Sequence, residues 1–216
     1  MPPRKEFSPL SLVLTLVLIT ACAGVVLAAV KQITEKPIAQ AKRQEKLQAI
    51  ENVLPEHTNA PDQEVVQVGE YALYPGFNAA GEFVGAAVEV GDAGGYGGKI
   101  TLMIGLDAEG QVCGIQATQL NETPGLGDGI TKGKFLDPLM GKGRDDMTWR
   151  VTKDGGDVDG VTAATISSRA ALRAISVAFE VFAQYRNKAL SDAPAVTGAT
   201  PYNQAWAQDA RAKVTR

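Results

Sequence analysis

Two short segments of the chain hold the residue types that phosphate or flat-ligand chemistry requires. The first reads Asp159-Gly160-Val161-Thr162-Ala163-Ala164-Thr165-Ile166-Ser167-Ser168 and opens a long amphipathic stretch. Thr162 is suited to cap a helix, which places Thr165 within the first helical turn. Unpaired backbone N–H groups and the positive end of the helix dipole collect there and favour a phosphate group. A hydroxyl at that point can bind or carry one. The second segment, Asn121-Glu122-Thr123-Pro124-Gly125-Leu126-Gly127-Asp128, sets two glycines and a proline in a short stretch. Gly125 and Gly127 let the backbone approach a flat ligand closely, and Pro124 stiffens the entry. Taken singly, each segment is also what an ordinary capped helix or a surface turn between strands looks like.

Composition removes several other chemistries. The 216 residues carry a net charge of only −3, so no broad basic surface is available for a phosphate backbone and nucleic-acid binding is disfavoured. One histidine, His57, and two cysteines, Cys22 and Cys113, leave no His/Cys zinc site within one chain. Cys22 lies in an apolar run, so Cys113 has no disulfide partner in the domain. A threonine nucleophile would lack an evident base, since His57 sits far away in a polar, proline-flanked stretch. No residue is assigned a catalytic or metal-binding role.

The elements that must position the two segments follow from periodicity. Residues 10–30 read LSLVLTLVLITACAGVVLAAV without a charged side chain. At about 1.5 Å of rise per residue, some 20 residues cross a hydrocarbon core of roughly 30 Å, so this run reads as a transmembrane helix. A cleaved signal peptide is one alternative, against which stands the apolar sequence continuing past Cys22. A lipidated Cys22 after Ile19-Thr20-Ala21 is the other, and it would strand the same apolar residues in solvent. Lys and Arg flank the run on both sides, and a strict count would put the C-terminal domain in the cytoplasm. Long domains translocate despite such charges, so the count does not settle the orientation of the run.

Residues 31–60 read as a connector, helical over 34–53 and stopped by Pro55. The strand-like runs are 71–74 before a turn at Pro75-Gly76, 83–90, and 99–106 and 112–117 around the turn Asp107-Ala108-Glu109-Gly110, with a further short strand at 149–152. A helix is expected over 163–185, with Ile166, Leu172, Ile175, Phe179 and Phe182 along one side. Strands first and a long helix later give an α+β domain over 61–190 with a mainly antiparallel sheet. Residues 191–216 read as a loosely ordered tail.

With the Gly95-Tyr96-Gly97-Gly98 cluster and Lys153-Asp154-Gly155-Gly156, these motifs run in an order and spacing that resemble the FMN-binding subunits of two membrane complexes. The nearer is the G subunit of the Rnf electron-transport complex, and its relative is the C subunit of the sodium-pumping NADH:quinone oxidoreductase. In that family an Asp, two variable residues, Ser or Thr, Gly, Ala and an acceptor Thr follow one another. Asp159, Thr162, Ala164 and Thr165 match, while Ala163 stands where the family usually has Gly. The resemblance implies covalent FMN, ester-linked through its phosphate to Thr165 by a separate Mg²⁺-dependent flavin transferase. Glu122, Thr123, Gly125, Leu126, Gly127 and Tyr96 would then lie at the cofactor. It further implies an electron relay between reduced ferredoxin and NAD⁺ coupled to Na⁺ or H⁺ movement, within a complex of other subunits and membrane lipid. The single span would cross the bacterial inner membrane, with residues 1–9 cytoplasmic and the FMN domain on the outer, periplasmic side.

Thr197-Gly198-Ala199-Thr200 copies the core of the motif more literally, but Pro194 stands where the Asp should be and no amphipathic helix follows. A function of another class, a non-redox membrane-anchored binding module, would use the glycine loops for protein contact.

Overall fold

The computed structural model describes residues 9–191. Thr200 and residues 192–216 of the tail expected over 191–216 lie outside the described residues, while Ser191 ends a helix. The chain divides into two compact units, residues 1–45 and residues 46–216. Helix α1, Pro9–Val53, begins in the first and ends in the second. The expected span and connector helix are thus one continuous helix, although Pro37 lies inside it. Proline has no N–H, so the ladder loses one bond there without the helix ending.

The apolar part of α1 is long and apolar enough to cross a membrane. Its hydroxyls are spent within the helix: Thr15 donates to the Ser11 carbonyl at 2.8 Å and Thr20 to the Leu16 carbonyl at 3.0 Å. Back-bonding of this kind leaves no unsatisfied donor facing hydrocarbon.

In the second unit, five strands form one antiparallel meander in the order β1-β2-β3-β4-β5. They are β1 (Val66–Val68), β2 (Tyr71–Phe77), β3 (Phe83–Asp92), β4 (Ile100–Asp107) and β5 (Val112–Gln119). A single-turn helix, α2 (Gly133–Leu136), follows and buries Phe135 in the main core. The long helix α3, Thr165–Ser191, covers one face of the sheet. Leu73, Val88, Ile100, Leu102, Ile104 and Leu106 on that face meet Leu172, Ile175, Phe179 and Phe182 in the same core. The other face carries Tyr74, Ala87 and Met103, against which the last two turns of α1 lay Ala49, Ile50 and Val53. Alternation along each strand serves both faces, so the sheet is the middle layer of three.

The α1 end sits close to the sheet because two glycines make room for it. Gly105 and Gly114 face each other across β4 and β5. A Cβ on Gly105 would collide with the Val53 carbonyl oxygen, and one on Gly114 would lie 2.6 Å from Val53 Cα. Lys46 fixes the same helix end laterally, with Nζ 2.6 Å from Glu89 Oε2 and 5.1 Å from the Tyr74 ring centroid.

The structure departs from the sequence reading at four places. Pro75-Gly76 is no turn: β2 runs through it and shifts register at Gly76/Phe77. Proline is tolerated because β1 reaches only as far as Leu73, so the missing N–H faces no partner strand. The short strand β1 adds to the expected set. Residues 149–152 form no strand; a single parallel bridge joins Val151 to Val158, and Thr152–Asp154 turns as a 3₁₀ helix closed by Gly155 at φ 76°. Finally, α3 starts two residues later than expected and continues to Ser191.

Candidate functional site

Three loops converge on the N-terminus of α3. A cavity of about 510 Å³ is lined there by Tyr96, Glu122, Thr123, Leu126 and Gly127 from two loops and by residues 163–167 from the helix start. Seven of the residues singled out from the sequence, Tyr96, Glu122, Thr123, Leu126, Gly127, Ala164 and Thr165, meet in this wall. Asp159, Thr162 and Gly125 are exposed and do not line it.

Thr162 is not the helix cap. It lies in a turn, Ala164 precedes the first helical residue, and Thr165 is that residue. The turn is held instead from inside the helix by Ser168, whose Oγ accepts from the Val161 N–H at 2.9 Å and donates to the Ala164 carbonyl at 2.9 Å. Closing so tight a turn requires a left-handed residue at 163, and Ala163 supplies it at φ 61°. Among the described residues it is the sole non-glycine with positive φ. The family's glycine at this position therefore has a conformational reason, and alanine holds the same shape under strain.

Glycines bring the other two loops together. A Cβ on Gly97 would collide with the Asn121 carbonyl oxygen, and one on Gly127 with Glu122 Oε2. The Gly97 N–H donates to Glu122 Oε1 at 3.3 Å, tying the β3–β4 loop to the segment after β5. Two buried oxygens in the cavity wall have no hydrogen-bond partner, Glu122 Oε2 and Ser167 Oγ, and Ser167 is fully buried. Buried polar atoms are rarely left in that state, so the wall is short of a polar occupant.

Three cations complete the site: Lys153, which the sequence marks only as the start of a glycine turn, and Arg169 and Arg173, which no motif singles out. Lys153 Nζ donates to Thr165 Oγ1 at 3.4 Å. Arg169 clamps Asp154 through two bonds of 2.6 Å, and Arg173 clamps Asp92 through bonds of 2.9 and 2.7 Å. Asp92 also accepts from the Gly94 N–H at 2.7 Å, so the Arg173 pair holds the glycine loop. The Arg173 guanidinium keeps the Asp92 carboxyl below the usual carboxylate range, assisted by the Gly94 N–H and opposed by burial. The Arg169 guanidinium acts likewise on Asp154. Thr165, Arg169 and Arg173 are spaced four apart and share one helix face.

The arrangement suits a ligand with an anionic end and a flat apolar body. Lys153 and the first N–H groups of α3 serve the anion beside Thr165. Leu126 and Ile166, each 46% exposed, and Tyr96, 73% exposed, give the mouth an apolar rim. Ile166, grouped by periodicity with Leu172, Ile175, Phe179 and Phe182, faces the cavity rather than joining them in the core. FMN has these two parts, and the orphaned oxygens of Ser167 and Glu122 await donors or acceptors such as its ribityl hydroxyls and ring N–H.

The family model of the FMN-binding domain matches residues 95–180, which contain every lining residue of this cavity. Over most of its length the chain is also similar to proteins named as the G subunit of the ion-translocating oxidoreductase complex. That of Escherichia coli K12 is 35% identical over 196 residues, covering 84% of this chain and 94% of its own. That of Shewanella baltica is 35% identical, covering 74% and 82%. That of Stutzerimonas stutzeri is 33% identical, covering 77% and 78%.

Proposed function

The chain belongs to the G-subunit family of ion-translocating oxidoreductase complexes, and from that premise we propose that it carries FMN through a phosphoester on Thr165 and relays electrons within such a complex. It is a membrane flavoprotein subunit, with one helix fit to cross the bilayer and one FMN-binding domain. The observation that carries the covalent reading is the convergence of two motifs some forty positions apart on one cavity, with the Thr165 hydroxyl at its edge and Lys153 beside it.

Bound FMN supplies the chemistry, accepting and releasing one or two electrons. The residues do the rest. Lys153 offsets the phosphate charge at Thr165, with the N-terminus of α3 adding its partial positive charge. Leu126, Ile166 and Tyr96 exclude water from the flat body, and Thr123 and Ser167 offer hydroxyls to its polar atoms. Asp92–Arg173 and Asp154–Arg169 keep the two loops at fixed positions around α3. Asp159, exposed ahead of the turn, is placed to be read by the flavin transferase during attachment. The flavin domain lies on the outer face of the inner membrane, and the complex exchanges electrons between reduced ferredoxin and NAD⁺.

Produced together with a flavin transferase, the full chain is expected to be yellow and to stay yellow after acid precipitation. Thr165→Ala should be colourless yet folded. The hydroxyl makes one long bond to an exposed lysine, so its loss should change stability by less than about 0.5 kcal/mol. A colourless wild-type chain, or a Thr165→Ala chain that retains covalent flavin, contradicts the proposal.

A further inference from the structure

Glu122 lies against two glycines that leave room for its carboxylate. A Cβ on Gly95 would lie 2.7 Å from its Oε1, and one on Gly127 would collide with its Oε2. Oε1 accepts the Gly97 N–H at 3.3 Å. Oε2 is buried in the cavity wall without a partner, and no ion pair among the described residues involves this carboxylate. As a tie between loops, Glu122 needs only an acceptor for Gly97, and an amide oxygen would serve with a smaller desolvation penalty. What the carboxylate adds is charge, with one oxygen buried and no ion-pair partner among the described residues, in the wall it shares with Thr165.

We infer that Glu122 is a tuning residue, a fixed negative charge that holds the reduction potential of the flavin low. The inference rests on the reading of this cavity as the FMN site. At neutral pH, reduction of the cofactor takes two electrons from the donor and one proton from solvent, so one net negative charge arrives beside the carboxylate. Like charges in a poorly hydrated wall repel more than in water, which favours the oxidised form.

The test is a spectroelectrochemical titration of full-length wild type, Glu122→Gln and Glu122→Asp, each loaded by the flavin transferase and checked for the adduct by intact mass. Glu122→Gln keeps the acceptor for Gly97 and removes the charge. Its reduction equilibrium should shift at least tenfold towards the reduced form, about 30 mV upward for a two-electron couple. Glu122→Asp keeps the charge and should stay nearer to wild type. Three results overturn the inference: Gln and wild type with equal potentials, Gln and Asp raised equally, or Gln failing to load while Asp loads. A wild-type chain without the adduct overturns the flavin site itself, which separates the two failures.

Discussion

Ala163 offers a quantitative check on the turn that presents Thr165. Its φ of 61° places a Cβ in the left-handed region, where an L-residue other than glycine is strained by roughly 1–2 kcal/mol. Ala163→Gly removes that strain, but the freer unfolded chain takes back about 0.4–1 kcal/mol. The net expectation is a gain of about 0.5–1 kcal/mol, worth roughly 2–4 °C in melting temperature per kcal/mol for a domain of this size. Ala163→Val should go the other way, because a β-branched side chain fits the left-handed region worst. Equilibrium unfolding of the full chain in detergent reads both, with Trp149 as a reporter since its ring packs 4.9 Å from Phe179 in the core. A Gly variant less stable than wild type by about 0.5 kcal/mol, or a Val variant as stable as Ala, would refute the turn as described.

Two further perturbations probe what holds the site in place. Gly105→Ala drives a methyl into the Val53 carbonyl and should destabilise the domain by about 1–3 kcal/mol in the same unfolding assay; an unchanged midpoint would mean that the end of α1 does not pack on the sheet. The Asp92 carboxyl is held below its ordinary value by Arg173, so its contribution is present above about pH 4 and is lost as pH falls through the lowered value. Protection of the Gly94 amide, which donates to Asp92, should drop over that fall when measured against its intrinsic exchange rate, and Asp92→Asn should show the lower protection already at neutral pH. Equal Gly94 protection in variant and wild type would contradict the clamp.

Much of this architecture is written in local pattern. The uncharged run at 10–30 and the apolar spacing of Leu172, Ile175, Phe179 and Phe182 each follow from one element's own periodicity, and both elements form. Residues 83–90 fall within β3, and 99–106, but for Lys99, within β4, for the same reason. Failures occur where another segment decides. Pro75 looks like a turn until β1 is found to stop short of it, and Trp149 looks like strand until its indole N–H is found on the Arg144 carbonyl at 3.0 Å. Thr162 resembles a cap because a hydroxyl three residues ahead of a helix is locally indistinguishable from one at its boundary. Seven cavity residues are legible from motif and resemblance, since glycines and hydroxyls in order survive as text. Arg169 and Arg173 are not, and Lys153 is marked only as part of a glycine turn with no role at the site, because a cation on a helix or turn usually means solvent. Their roles depend on partners 12, 15 and 81 positions away in the chain.

A tryptic map identifies the residue that bears the cofactor. Trypsin divides the chain after Lys153, Arg169, Lys188 and Arg211, so the peptide of residues 154–169 holds Thr165 and that of residues 189–211 holds Thr200. Mass spectrometry of protein purified from its native host should find the FMN increment on the first peptide, with fragmentation placing it on Thr165. An increment on the second peptide, or both peptides at the mass of their amino acids alone, would contradict the central claim.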